Sequence, residues 1–138
     1  MIYLQNCCCC VDLRIGTIII GILHIIADIV AGTCVALFGE SGVPDLGHAL
    51  VLIFVMIHIL SCVFLIIGCF LLRSSWMLFY ILATMIMILA MIILIVSDVI
   101  LVIWFWVIII YAFMFFLSLY FWLVAYSFYA ALGGVLFL

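Results

Sequence analysis

Between Trp76 and Leu132 the chain has no glycine and no proline, and Asp98 is its only charged residue. Wound as one α-helix, those 57 residues would extend about 85 Å, nearly three times the ~30 Å hydrocarbon core of a bilayer. A stretch this apolar belongs in lipid, and a stretch this long must double back. Ser97-Asp98 is the polar pair best placed for the turn.

Composition carries the argument to the whole chain. Of 138 residues, 77% are hydrophobic and 5% charged, with a mean hydropathy of +1.93. Soluble domains are about half apolar and about a quarter charged. A small one buries only ~60–70% of the surface that its unfolded chain exposes, so this much apolar surface excludes a soluble fold. Disulfide-stapled secreted folds are a poor alternative, because they carry polar segments between their bridges. The net charge is −3, with two arginines and no lysine, which leaves no basic surface for nucleic acid. The length accommodates four spans of ~20 residues with short connections and leaves no room for a separate soluble domain.

The expected architecture is all-α and integral to the membrane: a four-transmembrane-helix bundle forming one domain over residues 1–138. Its spans are expected at 15–38, 48–72, 76–97 and 106–129, with an outer loop at 39–47. The loop contains three glycines, the only proline (Pro44) and two acids, Glu40 and Asp45, which is strong turn punctuation. The first span holds thirteen Leu, Ile, Val or Phe residues, each worth about −0.3 to −0.6 kcal/mol for insertion. Together they outweigh the ~2.5–3.5 kcal/mol cost of Asp28. No positive charge precedes the cysteines at 7–10, so the first apolar stretch is expected to stay as a span and not to be cleaved as a signal peptide. In the last span, Trp104 and Trp106 are expected at one interface, with Tyr126 and Tyr129 at the other.

Arg14 precedes the first span and Arg73 lies between the second and third, so both arginines fall on one side. The opposite loops hold Glu40, Asp45 and Asp98 with no basic residue. The positive-inside rule then places both termini in the cytoplasm.

In that compartment the run Cys7-Cys8-Cys9-Cys10 is not expected to form structural disulfides. Juxtamembrane cysteines are substrates for S-acylation, and the four are candidate acylation sites. Free thiols, or metal or redox chemistry at Cys7 and Cys10, are the alternatives, although no nearby histidine or second pair completes a zinc set.

His24 and Asp28 are four residues apart and share a helix face with Gly21 and Gly32. Small residues flanking a polar pair mark a surface where helices approach closely. An intramembrane acid is equally a default functional site; packing, an ion or proton pathway, and contact with a partner all remain open. His58 and Cys62 are also four apart, with Cys69 further along, and a site joining His24, Asp28 and His58 is geometrically allowed. Asp98 completes the set of candidate intramembrane polar residues. His48 is expected at the membrane surface, and Met77, Met85, Met87 and Met91 serve as adaptable packing.

Tyr111, Phe115, Ser118, Trp122, Tyr126 and Tyr129 recur at helical spacing on one arc of the fourth span. Hydroxyls and an indole N–H on one stripe need partners, so Tyr111, Ser118, Trp122 and Tyr126 form a candidate helix-contact face. Aromatic belting at the two interfaces is the alternative. No phosphate-binding glycine loop, carboxylate pair or nucleophilic triad is recognisable, so neither catalysis nor a cofactor or metal site is expected.

Cys7–Cys10, followed by Val11-Asp12-Leu13-Arg14-Ile15-Gly16-Thr17 and then Gly21, resembles the start of the lysosome-associated four-span transmembrane protein family. The segment from Tyr120 to Tyr129 is similar to the last helix of arthropod relatives of that family. The resemblance covers the four-span layout, and its specific parts amount to about 20 residues at the two ends. It implies non-catalytic work: cargo sorting and transporter regulation in endosomes and lysosomes, or, for some arthropod relatives, a place in cell junctions. Sorting members carry a cytoplasmic tail with proline–tyrosine motifs for ubiquitin ligases. Here about nine residues follow Tyr129, without proline, and the chain has no lysine, so ligase-driven sorting is not expected.

The resulting expectation is a membrane protein that acts through lateral contacts, in endosomal or lysosomal trafficking or in junction organisation. Its partners would be lipids and other integral membrane proteins or copies of itself. The alternative is a small transporter or channel subunit using the intramembrane Asp and His residues.

Overall fold

The structure, a computed structural model, describes residues 6–7, 11–38, 43–100 and 105–134. Four long helices dominate it: α1 (Leu13–Phe38), α2 (Val43–Leu71), α3 (Ser74–Ile100) and α4 (Phe105–Ala131). Each packs against the next in sequence, and α4 closes back on α1. All four contain segments long and apolar enough to cross a membrane, at Leu13–Thr33, Leu52–Leu71, Ser74–Ser97 and Ile108–Ala131. The chain is a multi-pass four-helix membrane bundle. Because successive helices are antiparallel, α1 begins and α4 ends at the same end of it.

Ahead of α1, two short strands pair antiparallel: β1 (Asn6–Cys7) and β2 (Val11–Asp12). Asn6 lies opposite Asp12, and Cys7 opposite Val11. Cys8, Cys9 and Cys10 and the side chain of Cys7 lie outside the described residues.

The bundle is more polar inside than out. On α1 the buried residues Leu13, Thr17, Ile20, His24 and Asp28 follow the helical period, while Ile15, Ile19, Ile22, Ile26 and Ile29 face outward. The buried set also includes His58, Ser61, Thr84 and Ser127. In water the outer aliphatic surface would drive aggregation; in lipid it is matched to its solvent. Some buried hydroxyls bond back along their own helix: Thr17 to the Leu13 carbonyl (2.6 Å) and Ser127 to that of Leu123 (2.7 Å).

Two helix ends reveal why the chain turns where it does. After α2, Leu72 adopts a left-handed φ of 54°, and the Arg73 N–H donates to the Gly68 carbonyl at 3.1 Å. After α4, Gly133 (φ 87°) and the Gly134 N–H to Tyr129 carbonyl bond (3.1 Å) repeat that closure. Both are Schellman-type ends, which satisfy carbonyls left over at a helix terminus.

Arg14 reaches across from α1 to the end of α2, donating from Nε to the Cys69 carbonyl (3.1 Å) and from Nη2 to that of Phe70 (3.4 Å). A cation at the negative end of a helix contributes about 0.3–1 kcal/mol when exposed and up to ~2 when partly buried. Arg14→Leu should therefore lower the unfolding free energy in detergent by about 1–2 kcal/mol, whereas Arg14→Lys should keep the charge and recover part of it. Unfolding titrations followed by tryptophan fluorescence give the comparison.

Two boundaries differ from the sequence expectation. α2 begins at Val43, inside the stretch 39–47 read as loop. Pro44 thereby occupies the first turn of a helix, where its missing N–H leaves no bond unmade. The other difference concerns Ser97-Asp98, read as the break before the last span. α3 runs through it to Ile100, and α4 starts at Phe105. Polar residues are tolerated in a terminal helical turn near the membrane surface, so they did not need to break the helix. Residues 101–104, including Trp104, and the side chain of Trp106 lie outside the described residues.

Packing is uneven along the bundle. The buried core spans Leu13 to Gly32 on α1 and Val55 to Cys69 on α2. Among the described residues, none is fully buried on α3 beyond Ile88 or on α4 before Phe121.

Candidate functional site

At mid-height the helices bring their ionisable side chains together. His24 lies near the middle of the α1 span, Cys62 near that of α2 and Thr84 near that of α3. Asp28 Oδ2 is 2.5 Å from His58 Nδ1, and both side chains are buried. The other ring nitrogen of His58, Nε2, is 3.3 Å from the Thr84 hydroxyl. His24 Nδ1 is 2.9 Å from the Tyr80 hydroxyl. The two imidazole rings lie 5.0 Å apart, and Phe121 of α4 meets His24 edge-on at 4.8 Å. Cys62 Sγ is 3.9 Å from His58 Nδ1. All four helices contribute.

Local sequence explains the convergence. The i, i+4 pairs His24/Asp28, His58/Cys62 and Tyr80/Thr84 each place two polar groups on one face. Glycines then let the helices close. A Cβ at Gly21 would lie 2.8 Å from Ile66 Cγ1, so this α1–α2 approach requires a residue without one. Ser61 donates to the His58 carbonyl at 2.6 Å and disposes of its own hydroxyl. Among the described residues no buried side-chain nitrogen or oxygen lacks a hydrogen-bond partner.

The residues singled out from sequence divide into three groups. His24, Asp28 and His58 do meet. Asp98 does not join them, because it stands fourteen residues beyond Thr84 on α3, about 21 Å along the axis; its side chain lies outside the described residues. The α4 face splits. Trp122 donates from Nε1 to the Ile81 carbonyl (3.2 Å) and stacks on Tyr126 at 5.2 Å and 7°. Tyr126 and Tyr129 are buried with them, so this half of the face is spent inside the bundle, against α3. Tyr111, Phe115 and Ser118 remain half-exposed.

Tyr80 and Thr84 escaped sequence reading, although their signal was present. They are hydroxyls four residues apart in an aliphatic span, in phase with Met77, Ile81 and Ile88, which are also buried. A partly open cleft of about 130 Å³ lies between α2 and α3, lined by Phe54, Ile57, His58, Ala83, Ile86 and Met87, of which Phe54, Ile57 and Ile86 are exposed. Fold and site together define a multi-pass membrane protein with an internally paired ionisable cluster at the centre of its span. The chain matches no protein-family profile, no curated protein and no solved structure.

Proposed function

We propose that the chain is a non-catalytic four-span membrane protein that acts by lateral contact with other integral membrane proteins or with copies of itself, in endosomal or lysosomal trafficking or in cell-junction organisation. One observation supports this reading above the rest. The aromatic and hydroxyl-bearing face of α4 packs inside the bundle from Phe121 to Tyr129, but continues past the core as a half-exposed stripe through Ser118, Phe115 and Tyr111. Polar groups at a membrane helix surface favour protein neighbours over acyl chains. The polar cluster then acts as the internal lock of the bundle, and acylation at Cys7–Cys10 would strengthen its membrane attachment.

A photoreactive amino acid at Ser118 or Tyr111, compared with one at Ile22 on the outward face of α1, tests the reading in native membranes. The α4 positions should yield protein adducts and the α1 position lipid adducts. Lipid adducts alone from all three would refute it.

The second reading, a small transporter or channel subunit, draws on Asp28, His24 and His58 lying at the centre of the span. In reconstituted vesicles Asp28→Asn would abolish flux under that reading, whereas an adaptor would lose only partner binding or export from the endoplasmic reticulum.

A further inference from the structure

We propose that His24, His58 and Cys62, with Asp28 beside them, form a binding site for a single divalent zinc-class ion at the centre of the bundle. Each of the three offers a ligand atom, and these atoms all lie within 4.8 Å of one another. Zinc bonds of ~2.0–2.1 Å to nitrogen and ~2.3 Å to sulfur set neighbouring donors of a tetrahedron roughly 3.3–3.6 Å apart. Cys62 Sγ and His58 Nδ1, at 3.9 Å, are already close to that. The widest separation must contract by about 1.2–1.5 Å to reach those distances, which side-chain rotation can supply.

The surrounding groups suit a metal as well as they suit each other. Ligating imidazoles hold their orientation by donating the other ring N–H to an oxygen acceptor. Tyr80 Oη stands at His24 Nδ1, which leaves Nε2 of His24 for the ion. Thr84 Oγ1 stands at His58 Nε2, and Nδ1 of His58, bonded to Asp28, also faces Cys62, so an ion would take the place of the direct Asp28 contact. Charge points the same way: a divalent ion with one thiolate and one carboxylate is neutral as a unit, and an uncompensated charge is what the middle of a bilayer penalises. The mixed nitrogen and sulfur donors select zinc-class ions over magnesium or calcium, which prefer oxygen.

Cobalt(II) is the probe, because thiolate-to-cobalt charge transfer reports sulfur ligation directly. The full chain would be purified in detergent with Cys7–Cys10 replaced by serine, so that the terminal thiols cannot compete. One cobalt per chain with a near-ultraviolet charge-transfer band is expected, and stoichiometric zinc should displace it. Cys62→Ser should remove the band, and His24→Gln or His58→Gln should weaken binding at least tenfold. Tyr80→Phe, which removes only the outer hydrogen bond, should cost roughly 10–100-fold. Cys69→Ser, at a buried thiol outside the cluster, should leave the band intact. A band that survives Cys62→Ser, or no band in the parent, overturns the site. Should Cys62→Ser fail to fold, the parent decides alone: zinc must raise its unfolding temperature, and no rise overturns the proposal.

Discussion

Asp28→Ala and His58→Ala should each strongly destabilise the bundle in detergent, while the double variant should lose much less than their sum. Removing one member of a buried pair leaves the other without compensation, which costs about 3–5 kcal/mol in soluble cores. Hydrogen bonds between membrane helices average only ~0.6 kcal/mol, because the unfolded chain in lipid also finds partners. The geometry favours the larger figure: the contact is 2.5 Å, both side chains are buried, and both ring nitrogens of His58 are engaged. A double-mutant cycle from reversible unfolding should therefore return a coupling above ~1 kcal/mol, within the ~0.5–3 kcal/mol range of groups in contact. Additivity within ~0.5 kcal/mol would mean that the pair contributes nothing as a pair. Asp28→Asn, which retains a hydrogen-bonding group, should fall between parent and alanine.

The second large effect is expected at Gly68. A Cβ there would sit 2.8 Å from Met77 Cγ, 3.1 Å from Trp76 Cβ and 3.2 Å from the Arg73 carbonyl oxygen. Two of those neighbours are backbone or fixed directly to it, so they cannot swing aside. The residue also accepts the Arg73 N–H that closes the turn. Overpacking of this kind costs about 1–3 kcal/mol for alanine, and leucine should prevent the α2–α3 corner from forming. Gly32 is the control, since a Cβ there would meet Val55 Cγ1 at an ordinary 3.4 Å. Gly32→Ala should be neutral, or stabilising by up to about 1 kcal/mol through helix propensity. Size-exclusion profiles and melting curves of the two alanine variants separate a packing constraint from a general intolerance of change.

The four-helix layout was legible because hydrophobic length is a property of the chain itself: ~20 apolar residues announce a span without reference to any neighbour. Exact helix ends were less so. Pro44 reads as a loop residue until it is placed in a first turn, and Ser97-Asp98 reads as a break although a helix near the membrane surface can carry both. Within the site, His24, Asp28 and His58 stood out as polar groups in apolar surroundings. Their pairing did not, because i, i+4 spacing shows only that His24 and Asp28 share a face of α1. In the bundle Asp28 meets His58 and His24 meets Tyr80 instead. Which helix faces which is decided by close packing at Gly21 and Gly68, and that is a property of pairs of helices. The inward turn of Trp122 and Tyr126 was hidden for the same reason: a polar stripe on one helix does not say whether its partner belongs to the same chain.

The uneven packing bears on membrane thickness. The four helices are 26, 29, 27 and 27 residues long, or roughly 39–44 Å at 1.5 Å per residue. Each is longer than a hydrocarbon core of ~30 Å, so it tilts or runs past the core at its ends. Among the described residues α3 has none buried beyond Ile88 and α4 none before Phe121, so that end of the two helices can lean without breaking the central cluster. Thin and thick bilayers would then set different tilts of α3 and α4 around one fixed anchor, and with them the angle at which Tyr111 and Ser118 meet a neighbour.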